Sequence, residues 1–207
     1  MDTNAVENLV AAAGGEKRNL EFKQSVDWNN FDNQVPIIRS ILGMSNIEGG
    51  GRIIIGVVQN ANGMVTAAGM SQSDFVSFVK DQIKAVVANY ADEHAEFEVD
   101  LVADNNKRFV VITVSEFAEY PVLCKKTCKS SNGKKELEDG KLYTRSYRIP
   151  ETIEVRTVKE LRDILELATR KGIARFLGLA TALKLLPAAA QSDTDTAQFD
   201  KEIASLK

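Results

Sequence analysis

Ser45-Asn46-Ile47-Glu48-Gly49-Gly50-Gly51-Arg52-Ile53-Ile54-Ile55-Gly56-Val57-Val58 is the stretch that decides the fold. Three consecutive glycines stop whatever precedes them. The largely β-branched run that follows, from Arg52 to Val58, reads as a strand covered on both faces, because beyond Arg52 neither face of the pleat carries polar side chains. Upstream, Val35, Ile38, Ile41 and Leu42 recur at helical spacing and predict a helix over about 31–47. Helix, glycine turn and buried central strand are thus adjacent in the chain.

Working outward, Val6, Leu9 and Val10 predict a short helix over 2–13, with Asp2 and Thr3 as caps and Gly14-Gly15 as its stop. A strand is expected from Asn19 to Lys23. After the central strand, Asn60 to Gly63 supply turn chemistry before another strand-like piece. Phe75, Phe78, Val79, Ile83, Val86 and Val87 predict one helix from Ser71 to Asn89. Runs 97–102 and 109–114 flank Asp104-Asn105-Asn106 as an antiparallel hairpin. Then come Val122 to Cys124, a polar loop over 129–140, a strand over 141–147, and a helix capped by Thr157 reaching about Ala168. Strands in consecutive pairs between helices argue against regular doubly wound alternation. The expected class is α+β: a mostly antiparallel mixed sheet with helices packed on it, plus a C-terminal helical extension.

Residues 1–171 are expected to form that domain, 172–187 an apolar helix, and 188–207 a flexible tether with a short amphipathic end. Phe199, Ile203 and Leu206 form a stripe too short to be a stable helix alone, so 173–207 is expected to serve a homo-oligomer. With 207 residues and 44% hydrophobic content the chain can bury one substantial core. No apolar run reaches the roughly 18–20 residues that cross a bilayer, and the first residues lack a basic-then-apolar leader, so a cytoplasmic protein without a membrane partner is expected. Cys124 and Cys128 are too few for a disulfide framework and lack the partners of a zinc site. His94, among Asp92, Glu93 and Glu96, reads as a loop residue; Trp28 and Phe31 read as anchors for the helix that follows.

Charge is uneven along the chain. Residues 1–120 carry 9 Lys/Arg against 17 Asp/Glu, a balance of −8, whereas residues 121–150 carry 8 against 3, a balance of +5. A phosphate backbone is drawn to such a cluster, which makes Lys125, Lys126, Arg145 and Arg148 the candidate nucleic-acid contacts.

Three stretches in register resemble the Schlafen-type AlbA family. Glu16-Lys17-Arg18-Asn19-Leu20-Glu21-Phe22-Lys23 is similar to its opening motif of two glutamates five apart ending in Glu-Phe-Lys. Residues 45–57 are similar to its helix end, paired glycines and strand finishing in Ile-Gly-Val. Leu142-Tyr143-Thr144-Arg145, with Thr157 to Ile164 behind it, resembles its late Tyr-x-Arg strand and final helix. The resemblance implies nucleic acid, RNA or DNA, as ligand. It also implies, for nuclease members, that Glu16 and Glu21 ligate Mg²⁺ or Mn²⁺ while Lys23 steadies the phosphate. The family's third acid falls near Val58, Gln59 and Asn60, where this chain has none, and loss of that charge weakens a dication site. The expected function is a nucleic-acid-binding module rather than an efficient nuclease; the alternatives are a metal-dependent endoribonuclease and an assembly protein. A plainer account has Glu21 and Lys23, two apart on a strand, forming an ion pair beside the sheet. The glycine cluster has no Gly-Lys-Ser/Thr and is followed by a strand, so it reads as a turn, not a phosphate loop.

Overall fold

The computed structural model describes residues 1–60, 62–104 and 106–183. By compactness the chain divides into two units, Met1–Ala168 and Thr169–Lys207. In chain order the elements are α1 (Thr3–Ala13), β1 (Leu20–Lys23), α2 (Phe31–Ser45), β2 (Gly51–Ile55), β3 (Val57–Gln59), β4 (Val65–Ala67), α3 (Gln72–Ser77) and α4 (Lys80–Ala88). They continue with β5 (Ala91–Asp92), β6 (Phe97–Ala103), β7 (Arg108–Val114), β8 (Leu123–Cys124), β9 (Cys128–Lys129), β10 (Lys135–Leu137), β11 (Tyr143–Arg145), β12 (Thr152–Glu154) and α5 (Val158–Ala182).

The main sheet has the order β1-β2-β7-β6. β1 and β2 are parallel, and the other two pairings are antiparallel. Successive residues of a strand face opposite sides, so Ile53, Ile54 and Ile55 can all be buried only if both sides are covered. They are. Leu20, Phe22, Ile54, Phe109 and Val111 pack against Val6 and Val10 of α1. Ile53, Ile55, Val110 and Ile112 pack with Val35, Ile38, Ile41 and Leu42 of α2. The class is α+β, as the order of strand pairs and helices predicts. α1 starts where the Asp2 carboxylate accepts the Ala5 N–H and stops at Gly14 in the left-handed region.

Four elements depart from the periodicity. The helix expected over 71–89 is broken between α3 and α4, where Phe78 leaves helical geometry and buries its ring 5.5 Å from that of Trp28. Trp28 itself is 1% exposed, an anchor under the start of α2. The central strand is interrupted at Gly56, whose φ of 106° turns the chain, and whose Cβ, if present, would lie 2.8 Å from the Phe109 ring. The strand expected over 141–147 shortens to β11, because Ser146 Oγ accepts the Arg148 N–H and the chain turns toward β12. The two helices expected over 157–168 and 172–186 are one, since Gly172 lowers helix propensity without breaking the hydrogen-bond ladder. The amphipathic end at 199–207 lies outside the described residues, as does the tether.

Candidate functional site

The glutamate motif sits on β1, an edge strand of the main sheet, and there its chemistry is an ion-pair knot. Glu21 and Lys23 share a face of the strand, and Lys23 Nζ lies 2.6 Å from Glu21 Oε1. Arg145, at the end of β11, donates from Nη1 to Glu21 Oε2 at 2.6 Å. The Glu21 side chain is 6% exposed and that of Arg145 1%. Glu16 is turned to the backbone, accepting the Phe22 N–H at 2.8 Å.

Arg145 therefore departs from the role that its place in a basic segment predicts. Its guanidinium also donates to the carbonyls of Arg18 at 3.0 Å and Pro150 at 2.8 Å and to Thr152 Oγ1 at 3.1 Å. A planar fork of five N–H donors suits such a convergence of oxygens, and none of it faces solvent. Arg18 returns the bond, its Nε donating to the Arg145 carbonyl at 3.1 Å. The knot requires β12 to lie close under α2. Gly43 permits this: a Cβ there would stand 2.5 Å from Thr152 Cγ2.

These residues do not fit a dication site. Both oxygens of Glu21 already hold cations, one of them buried, and Glu16 is held by an amide. Gln59, at the position of the missing acid, is exposed, and its amide reaches the Gly63 carbonyl at 3.5 Å. Among the described residues no group of three or more His, Cys, Asp or Glu is placed to hold a metal.

The remaining basic candidates separate. Cys124 N–H bonds to the Lys141 carbonyl, so Lys125 and Lys126 begin four residues of near-extended chain from Arg145, about 13 Å at roughly 3.3 Å per residue. Lys125 lines a cavity of about 570 Å³ together with Glu93, Glu96 and Glu98, whose carboxylates oppose any phosphate there. Lys126 Nζ lies 5.5 Å from the centre of the Tyr90 ring. Arg148 is exposed, next to Tyr147.

Tyr147 is the residue that sequence reasoning missed. It is 52% exposed. Arg18 lies 3.8 Å from its ring centre and Lys159, in the first turn of α5, 4.5 Å. Partial burial, then contact with the Asp163 carboxylate, pushes its phenol pKa up, so the ring stays neutral at physiological pH; Glu48 also faces it. The fold thus gathers Arg18, Tyr147, Arg148 and Lys159 into a cation–aromatic platform. One of its cations comes from the stretch that linear counting scores as acidic. The exposed Tyr147-Arg148 pair directly after Tyr-x-Arg was the available signal.

Asn46 belongs to the helix-end motif and has a structural role there. It is 2% exposed, and its amide donates to the carbonyls of Val122 and Tyr143 while accepting the Val122 N–H. It fastens β11 to the end of α2. The glycine cluster packs backbone on backbone: a Cβ at Gly50 would fall 2.0 Å from the Val114 carbonyl, and the Gly49 N–H is taken by Glu116. That is turn geometry. His94 is exposed on its loop, and burial pushes both cysteine thiols up, which keeps them protonated and unreactive.

Residues 16–149 match the family model described as Schlafen, AlbA_2. No curated protein matches the chain. Among solved structures it is similar to the DIP2311 protein from Corynebacterium diphtheriae, at 16% identity and a TM-score of 0.45, over 76% of this chain and 27% of that one. It is also similar to the N-terminal domain of a DNA helicase RecG-related protein from Nitrosomonas europaea, at 16% identity and a TM-score of 0.40, over 69% of this chain and 92% of that one. The chain thus spans about a quarter of the first of these structures.

Proposed function

This chain belongs to the Schlafen AlbA_2 family, whose domain is nucleic-acid-related, and from that membership we propose that it is a binding module for single-stranded nucleic acid and not a nuclease. The observation that carries the reading is the Tyr147 platform. With Arg18 and Lys159 over the ring, the surface offered to an unpaired base is the outer side of the Arg18 guanidinium and the exposed ring edge, and Arg148 and Lys159 offer charge to the flanking phosphates. The reciprocal backbone bonds between Arg18 and Arg145 hold the guanidinium over the ring before any ligand arrives, which lowers the ordering cost of binding. A metal-dependent endoribonuclease is the weaker reading, because Glu21 is engaged by two cations and the third acid is a neutral amide. Fluorescence anisotropy with a labelled single strand, repeated across a salt series, tests the proposal. Affinity should fall as salt rises, with a log–log slope near −0.7 per neutralised phosphate, and a duplex of equal length should bind more weakly. Salt-independent or absent binding would remove it.

A second reading concerns assembly. No helix among the described residues is long and apolar enough to cross a membrane. Yet Ile173, Phe176, Leu177, Leu179 and Leu183 of the second unit are each about half exposed or more. At 100° per residue these five fall within a stripe roughly 160° wide, although Ala180, inside it, is 3% exposed. We propose that a second copy of this chain covers it, making a homo-oligomer. Light scattering at micromolar concentration should return more than the monomer mass, and Phe176→Glu should restore the monomer; a monomeric native chain would end the idea.

A further inference from the structure

α1 stops at Gly14, and Arg52 of β2 is exposed. Beyond the last turn of α1 a groove of about 520 Å³ is left open. Leu9, Ala13 and Leu20 supply an apolar wall, and Lys17, Arg52 and Thr113 supply the polar side. Small side chains at the end of α1 are what leave the space. Lys17 and Arg52 are exposed, neither has an ion pair among the described residues, and no acidic residue lines the groove. Two carboxylates stand at the edges: Glu116 accepts the Gly49 N–H, and Glu98, opposite Thr113 on the neighbouring strand, is paired with Lys84.

A semi-apolar cavity of this size with two convergent cations has the usual character of a small-molecule site. Apolar walls favour a planar, weakly hydrated body. Two adjacent cations without counter-ions favour a doubly charged group, and a phosphomonoester carries about −1.5 to −2 at neutral pH. Thr113 can donate its hydroxyl to one further oxygen. We propose that this groove binds a nucleoside monophosphate group, the phosphate between Lys17 and Arg52 and the base along Leu9, Ala13 and Leu20. Two sources share that chemistry: a free nucleotide, and the phosphorylated end of a nucleic-acid strand. Only the second rests on the nucleic-acid reading above.

Isothermal titration of the full chain with adenosine 5′-monophosphate should show one saturable site. Adenosine and inorganic phosphate, each supplying half of the interaction, should bind at least tenfold more weakly. Arg52→Gln should weaken the nucleotide at least fivefold, whereas Lys84→Gln, whose side chain pairs with Glu98, should leave it unchanged. A parallel anisotropy series compares 5′-phosphorylated and 5′-hydroxyl oligonucleotides. If the strand end is the source, the 5′-phosphate strengthens binding severalfold and Arg52→Gln cancels that gain. Nucleotide binding without a 5′-phosphate gain assigns the free nucleotide. No saturable nucleotide binding to millimolar concentration, together with equal affinity for the two oligonucleotides, overturns the groove while leaving the Tyr147 platform standing. Nucleotide binding that Arg52→Gln does not weaken also overturns it.

Discussion

Replacing Arg145 by Met keeps the length of the side chain and removes the guanidinium, and the cost of doing so can be worked from what is left behind. Glu21 loses the more deeply buried of its two partners, the 2.6 Å bond from Nη1, and the carbonyls of Arg18 and Pro150 and the Thr152 hydroxyl lose their donors. Every one of these bonds has an ionised donor, and a hydrogen bond to a charged group contributes about 1.5–3 kcal/mol before the desolvation of the guanidinium is set against it. Lys23 stays 2.6 Å from the other Glu21 oxygen and offsets part of the stranded charge, which places the total in the range of about 3–5 kcal/mol measured for broken buried pairs. For a chain of this size that is a fall in Tm of roughly 6–20 °C, at about 2–4 °C per kcal/mol. Urea unfolding at pH 7 followed by circular dichroism reads it directly. The double variant Glu21→Leu with Arg145→Met should be more stable than Arg145→Met alone, because no charge is stranded. A loss under about 1 kcal/mol accompanied by a large fall in nucleic-acid affinity would refute the reasoning, since it would make Arg145 a surface contact after all.

Asn46→Ala strips partners from the Val122 N–H and from two buried carbonyls and should cost about 2–4 kcal/mol in the same assay; under 1 kcal/mol would mean water replaces the amide. Asp104, in the β6–β7 turn, accepts the Thr3 hydroxyl and the Lys107 and Asn106 N–H groups, which hold its pKa at about 2 against the ordinary 3.8. A depressed carboxyl stabilises the fold above its unfolded pKa, so that contribution should vanish as pH falls from about 4 to 2, and Asp104→Asn should flatten the stability profile over that window. Millimolar Mn²⁺ should leave Tm unchanged, because binding would have to displace Lys23 or Arg145 from Glu21; a rise in Tm that Glu21→Gln abolishes would show a metal site where none is expected.

Much of this fold is legible in the sequence because burial on both faces leaves a plain signature. Ile53-Ile54-Ile55 between a glycine turn and Gly56 states that helices cover the strand twice, and the register of α2 follows from four apolar residues. What is not legible depends on distant partners. No periodicity shows that Phe78 leaves its helix to meet Trp28, fifty positions earlier, or that Gly43 is small because Thr152 arrives beneath it. The candidate site divides in the same way. Glu21 and Lys23 are readable as a pair because they are two apart on a strand. The third member, Arg145, lies in a segment whose +5 balance suggested a surface, and a linear count of charge carries no information on burial. Tyr147 and Lys159 meet Arg18 only because β11, β12 and α5 fold back toward the start of β1.

The claim that the nucleic-acid surface lies at Tyr147, away from the lysines at the other end of the basic segment, is tested most directly by comparing two variants. One carries Arg148→Glu and Lys159→Glu, the other Lys125→Glu and Lys126→Glu, each titrated against the same labelled single strand at several salt concentrations. Removing two phosphate contacts should lower affinity more than tenfold and reduce the log–log salt slope by about 1.4 in the first variant, at 0.7 per contact, while the second stays within about threefold of the native chain. The reverse order, with the Lys125 and Lys126 variant losing both affinity and slope, would contradict the account.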